Sequence, residues 1–182
     1  MKQGLLFLAD GFETTEALAT LDVLLRSKQI EVTTISLNED LTATSNLGVE
    51  VICNAHIDTI LPRMFDFAIL PGGKLGVDNL KGDKRVQALL DELISLSKPI
   101  YAICAAPSIL AEKGYYAGGD YTCFPGFEGG EGHYTGQEVV ARKGKITARS
   151  MAYSIPFGEA IVKEQIGAKF VRFIRKGTCG LK

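Results

Sequence analysis

The chain has 182 residues, of which 46% are hydrophobic and 23% charged, the composition of a packed globular protein rather than a disordered one. Its 20 basic and 21 acidic residues leave a formal net charge of −1 and no basic stripe able to neutralise a phosphate backbone, so nucleic acid is not expected as a partner. No segment approaches the roughly 20 apolar residues needed to span a bilayer, which excludes a helical membrane protein.

Taken in chain order, "QGLLFLA" (residues 3 to 9) reads as a buried first strand. The apolar run gives way to "DGFETTE" and not to a small-residue cleavage site, so no secretion signal is expected and a cytoplasmic location is. The following "ETTEALATLDVLLRSK" places Ala17, Leu18, Leu21, Leu24 and Leu25 at helical spacing. "IEVTTISLN" is β-branched and predicts a strand over 30 to 37. Together these make a strand–helix–strand unit, which requires parallel strands. Residues 40 to 56, with Asn46 and Gly48, predict a small hairpin outside the alternation.

The alternation then resumes. "FDFAILPGG" predicts a buried strand ending in a Pro-Gly-Gly turn, "DKRVQALLDELISLSK" an amphipathic helix, and "PIYAIC" another apolar strand. "PSILAEKG" predicts a helix stopped by Gly114. The remainder reads as a strand over 120 to 124, a glycine-rich loop "PGFEGGEGHYTG", strands near 137 to 142 and 145 to 150, and a helix from about 154 to 166. No linker or repeat interrupts the chain, and one domain over 1 to 182 is expected. Alternating β and α elements predict a doubly wound α/β layer structure with helices on both faces of a mostly parallel sheet. Ligands of such sheets bind beyond the carboxyl ends of the strands, which selects the loops "ADGFETTE", "LPGGKLG" and "ICAAPS".

Within those loops, Cys104 falls where a strand ends, and Pro107 falls in what would be the first helical turn. A helix N-terminus lowers a thiol pKa from about 8.5, so this position favours thiolate. The alternative is a buried cysteine packing like alanine. Glu16 and Glu13 follow the first strand at the same sheet edge. A buried carboxylic acid there could share a proton with the Cys104 sulfur, whereas an exposed one would only complement a helix N-terminus, the reading preferred for Glu13. Gly72 and Gly73 allow close backbone approach, and the N–H groups of Gly73 and Ala105 could form an oxyanion hole beside the sulfur. His133, one of two histidines, stands either as a base or as an exposed loop residue. Cys53, Cys104, Cys123 and Cys179 are widely spaced with no CxxC pair, so neither a zinc site nor a disulfide framework is expected.

In combination, "ADGFETTE", "LPGGKLGVDNL", "AICAAPSIL" and "GHYTG" resemble the ThiJ/PfpI superfamily from residue 2 to about 166. The resemblance implies a flavodoxin-like α/β sandwich, commonly a homodimer, with the cysteine on a nucleophile elbow. It puts the reactive cysteine on Cys104, its glutamate on Glu16 and the backbone donors on Gly73 and Ala105. It implies no metal and no organic cofactor. Two departures stand out. Where the deglycase-like branch has a histidine in a "THP" segment, this chain has "TCFP" with Phe124, and where relatives carry a Gly-Pro-Gly loop after an arginine, this chain keeps Arg149 but reads "ARSMAYS". The implied functions are glyoxalase- or deglycase-type chemistry on small carbonyl compounds, or alternatively an oxidation-sensing stress protein or chaperone. An intracellular peptidase ranks last because Ala105, not histidine, follows the cysteine.

Overall fold

The computed structural model describes residues 1–180. Strand β1 (Lys2–Leu8), helix α1 (Thr14–Arg26) and strand β2 (Ile30–Ser36) form the expected unit, and β1 pairs with β2 in parallel from Lys2↔Ile30 to Leu8↔Ser36. A hairpin of β3 (Thr42–Thr44) and β4 (Glu50–Ile52) then leaves the main sheet, as Asn46 and Gly48 suggest, and the chain returns as a two-residue edge strand β5 (Ala55–His56). Next come β6 (Phe67–Leu70), α2 (Lys74–Gly82), α3 (Lys84–Ser95), β7 (Ile100–Ile103) and α4 (Pro107–Glu112). Short strands β8 (Asp120–Tyr121) and β9 (His133–Tyr134) pair with each other, β10 (Val139–Arg142) and β11 (Lys145–Ala148) form an antiparallel hairpin, and α5 (Ser154–Ile166) and α6 (Ala168–Thr178) follow.

The seven-stranded sheet has the order β10-β11-β7-β6-β1-β2-β5, parallel except for the β10–β11 hairpin at one edge. Successive side chains of a strand face opposite ways. Leu5 and Phe7 therefore enter a core formed with Val77 and Leu80 of α2, Leu90 and Leu93 of α3 and Leu110 of α4. Leu6 and Leu8 enter the second core, formed with Leu24 of α1, Phe157 and Ile161 of α5 and Ile174 of α6. This is the doubly wound arrangement that the alternation of elements predicts.

Several elements differ from the expectation. The stretch 74 to 82 forms a helix although it carries Gly76, Asp78 and Asn79, all poor helix formers. Tertiary contact overrides propensity there: Val77 and Leu80 are buried, and a Cβ at Gly76 would lie 2.8 Å from the Phe12 nitrogen, so only glycine lets α2 lie this close to the β1–α1 loop. The strand expected over 120 to 124 shrinks to Asp120–Tyr121, because the Phe124 N–H bonds the Cys104 carbonyl at 2.8 Å instead of a strand neighbour. Its partner β9 lies in the segment expected to be loop. Helix α6, beyond the last expected element, docks through buried Ile174 and through an ion pair between Arg175 and Glu159.

Candidate active site

The winding of the sheet places the site. Its connections run one way from β1 to β2 and the other way from β6 to β7, so the loops after β1 and β6 diverge and open a crevice at the carboxyl ends of the strands. With β7, β6 and β1 adjacent, the segments carrying Cys104, Gly72–Gly73 and Glu16 come side by side. The loops are tied together by backbone bonds from the Glu13 N–H to the Gly72 carbonyl (3.0 Å) and from the Gly76 N–H to the Gly11 carbonyl (3.1 Å).

Cys104 occupies the turn between β7 and α4 with φ of +63°, a conformation that costs a non-glycine residue on the order of 1–3 kcal/mol and persists only where its surroundings impose it. The surroundings here are its N–H, bonded to the Ala148 carbonyl at 2.9 Å, and its carbonyl, which accepts from Phe124. The strained turn aims the side chain back over the crevice. There the side chain lies beside the Glu16 carboxyl, both against Gly72, and the Glu16 carboxyl and the backbone N–H groups of Gly73 and Ala105 act on the thiol. Thus the structure brings together Cys104, Glu16, Gly73 and Ala105, four of the residues expected at the site.

Gly72 serves by lacking a side chain. A Cβ on it would stand 2.5 Å from Glu16 Oε2 and 2.6 Å from Cys104 Cβ, so no other residue fits between the acid and the thiol without displacing them. Its N–H donates to Glu16 Oε2 at 2.8 Å and fixes the carboxyl in place. Gly73 has φ of +91° and caps α2, with the Gly11 carbonyl where a Cβ would be. Glu13 is the N-cap of α1, its carboxylate accepting the Glu16 N–H at 2.7 Å, which is the helix-complementing role preferred for it.

Glu16 is 1% exposed, and burial raises its pKa from 4.5 to about 7, helped by Glu13 and opposed by its bonds to Cys104 and Gly72. Burial also pushes the Cys104 thiol well above its ordinary value, and an ionised Glu16 pushes it further, while the Gly73 and Ala105 N–H groups act the other way. The lowered thiol pKa expected from the helix start is therefore not found, because desolvation outweighs the donors of a helix only six residues long. Two acids in contact in a dry site share at most one negative charge near neutral pH. The proton they share titrates as a property of the pair. Protonated Glu16 can donate to a thiolate, and ionised Glu16 can accept from a thiol.

Other expected contributors lie elsewhere or act differently. His133 is three-quarters exposed on β9, and its Nδ1 bonds Asp120 Oδ1 at 2.9 Å; none of its hydrogen bonds reaches Cys104 or Glu16. Phe124 is 44% exposed, with its ring edge-on to Phe127, and offers the elbow a backbone N–H but no side-chain proton. Arg149 follows Ala148, the residue that bonds the elbow, and donates to the Gly136 carbonyl (2.8 Å) and to the Tyr153 hydroxyl (2.6 Å) while lying over the Tyr153 ring. Tyr153 was not singled out in the sequence; its spacing of four from Arg149 is the one signal that could have found it. All four cysteines are free thiols, and Cys53 and Cys123 are buried, with pKa values pushed up to about 11 and about 12 by burial. Among the described residues there is no group of three or more His, Cys, Asp or Glu that could hold a metal ion, and no helix is long and apolar enough to cross a membrane.

A mostly parallel α/β sandwich with a cysteine on a strained strand-to-helix elbow, beside a buried glutamate, defines a class of cysteine-elbow α/β proteins. Within that class the chain belongs to the DJ-1/PfpI family, whose model matches residues 2–164. It is 32% identical to protein dj-1beta of Drosophila melanogaster over 97% of this chain and 96% of the relative. The crystal structure of Drosophila DJ-1beta superposes with a TM-score of 0.90, covering 98% of this chain and 97% of the other at 30% identity. The Parkinson disease protein 7 homolog of Danio rerio is 31% identical over 92% of both chains. Protein/nucleic acid deglycase 2 of Escherichia coli is 33% identical over a shorter match, 57% of this chain and 59% of that protein.

Proposed function

We propose that the protein is a cofactor-free enzyme of glyoxalase or deglycase type, acting on small reactive carbonyl compounds through Cys104. The observation that carries this reading is a buried carboxyl, its pKa raised to about 7, set against Gly72 beside the Cys104 side chain, with the Gly73 and Ala105 N–H groups favouring charge on the same sulfur. A group that titrates near neutrality exchanges protons in either direction at little cost. Relatives that bear the name deglycase support the deglycase side of this reading.

With methylglyoxal, ionised Glu16 accepts the Cys104 thiol proton as sulfur bonds to the aldehyde carbon. The C=O pair moves onto oxygen, where the Gly73 and Ala105 N–H groups stabilise it and Glu16 returns the proton, giving a hemithioacetal. Glu16 then carries a proton from C1 to C2 by way of an enediol. The C1 carbon becomes a thioester and C2 a secondary alcohol, so one carbon is oxidised as its neighbour is reduced. Water cleaves the thioester, releasing lactate and regenerating the thiol. No step calls on a histidine, consistent with Phe124 at the mouth. The reading predicts lactate from methylglyoxal with purified protein, lost in Cys104→Ser. Absence of lactate, or an unchanged rate in that variant, refutes it.

A second reading rests on the same donors. A Cys104 sulfinate would accept bonds from protonated Glu16 and the Gly73 and Ala105 N–H groups, which suits an oxidation-responsive stress protein that turns over nothing. Mass spectrometry after mild peroxide would then find Cys104 oxidised ahead of the exposed Cys179; equal or lesser oxidation sinks it. Peptidase activity has least support, because His56 bonds within the Asp58–Arg85 cluster and His133 bonds Asp120. The protein works as a homodimer in this reading, supported by the exposed Leu47 and Ile52 on the β3–β4 hairpin and testable by light scattering.

A further inference from the structure

At the end of the sheet opposite Cys104, where β7 begins, a cavity of about 370 Å³ is lined by Lys98, Lys113, Lys143 and Lys145, with Tyr115 and Pro99 among its walls. The lysines come from three tight turns far apart in sequence. Each turn has a residue with positive φ next to a lysine: Ser97 before Lys98, Gly114 after Lys113, and Gly144 between Lys143 and Lys145. In a chain of net charge −1, four lysines lining one cavity are a local concentration of basic residues that the composition does not foretell.

The protein answers that charge only in part. Lys113 pairs with Asp91 at 2.6 Å. Among the described residues Lys98, Lys143 and Lys145 form no ion pair. The Lys145 ammonium donates to the Tyr115 carbonyl and lies 4.6 Å from the centre of the Tyr115 ring, and burial together with Arg142 holds it below the usual lysine pKa. Of the nearby carboxylates, Glu164 accepts from the Gly144 N–H (2.8 Å) and the Tyr101 hydroxyl (2.9 Å) and pairs with none of the four lysines, while Asp66 is bonded to Lys2 and also feels the Lys98 charge. The backbone donors on the rim are spent as well: the N–H groups of Ser97, Lys98, Gly114 and Tyr115 all bond carbonyls of the turns they close. Among the described residues, what remains without a hydrogen-bond or ion-pair partner is the Lys98 and Lys143 ammonium groups, with no arginine fork among the lining residues to match a planar carboxylate.

We propose that this cavity is a binding site for a phosphoryl group, carried by a small phosphate ester or free as inorganic phosphate. Lysines act as point charges, which suits a tetrahedral dianion better than a planar carboxylate. The volume lies at the lower end of the range for small-ligand sites and accommodates a compact phosphorylated metabolite. A bound dianion would supply the counter-charge that Lys145 lacks. The site is distinct from the Cys104 crevice, since β7 lies between them, with Ile100 at one end and Cys104 beyond the other.

Titration calorimetry at constant ionic strength, with inorganic phosphate, glycerol 3-phosphate, citrate and chloride as probes, tests the assignment. Saturable binding of either phosphate probe is expected, weakened at least tenfold in Lys143→Glu and in the Lys98→Ala/Lys143→Ala double variant, with thiol reactivity at Cys104 unchanged. Tighter binding of the ester identifies a phosphorylated metabolite as the source, and tighter binding of phosphate identifies the free ion. Lys98 and Lys113 follow the C-termini of α3 and α4, where lysine also complements the helix dipole. If that is their whole role, no phosphate probe will saturate, and the proposal fails. It fails equally if citrate binds as tightly as phosphate, or if Lys143→Glu, which lies on the β10–β11 turn away from either helix end, binds as the wild type does.

Discussion

Replacing Glu16 by glutamine removes an ionisable group from the least exposed part of the site while keeping its shape and an oxygen for the Gly72 N–H. An acid whose pKa is raised by folding binds its proton more tightly in the folded state. Its contribution to stability is therefore fully present below the unfolded value and is lost as pH rises through the folded one. For Glu16 the window runs from 4.5 to about 7. At about 1.4 kcal/mol per pKa unit, ionising this buried carboxyl costs the folded protein about 3 kcal/mol by pH 8. Glutamine carries no such cost. The stability difference between Glu16→Gln and wild type should therefore move in favour of the variant by about 3 kcal/mol between pH 4 and pH 8, as read from urea unfolding at each pH. Other carboxylates cancel in the difference, because both proteins carry them. A difference that stays flat across the window would mean that burial leaves the Glu16 carboxyl at its ordinary pKa, and the basis for proton transfer near neutrality at this site would go with it.

Other expectations follow from the same contacts. Gly72→Ala inserts a methyl 2.5 Å from Glu16 Oε2 and 2.6 Å from Cys104 Cβ, and should destabilise the fold by about 1–3 kcal/mol while abolishing any Cys104-dependent turnover. Unfolding midpoints and rates check it, and a neutral outcome would show that the acid and thiol have room to separate. Phe124→His restores a proton carrier at the mouth of the elbow, so carbonyl turnover should rise and its pH profile should gain a step near the ordinary histidine pKa of about 6.5. An unchanged profile would mean that residue 124 does not reach the reacting atoms.

The fold was legible because the signals behind it are local. Periods of two and of 3.6 in apolar residues, with Gly114 and the Pro-Gly-Gly turn as punctuation, delimit β1, α1, β2, β6, α3, β7 and α5 without reference to contacts elsewhere. Helix α2 was not legible, since Gly76, Asp78 and Asn79 argue against it and only the close approach to Phe12 makes the first of them useful. Strands β5 and β9 are two residues long, too short for any periodicity. The site divides in the same way. The elbow at Cys104 could be read from an apolar strand followed by Pro107, and the loops at the same end of the sheet offered Glu16, Gly73 and Ala105, the positions on which the resemblance also falls. The sequence by itself thus determined that Cys104, Glu16, Gly73 and Ala105 lie on or next to loops at one end of the sheet. The tertiary structure alone decided their protonation. Helix position predicted a lowered thiol pKa, whereas three adjacent loops bury the thiol against a carboxyl and push both groups upward, because desolvation is set by everything packed around a charge and not by its neighbours in the chain.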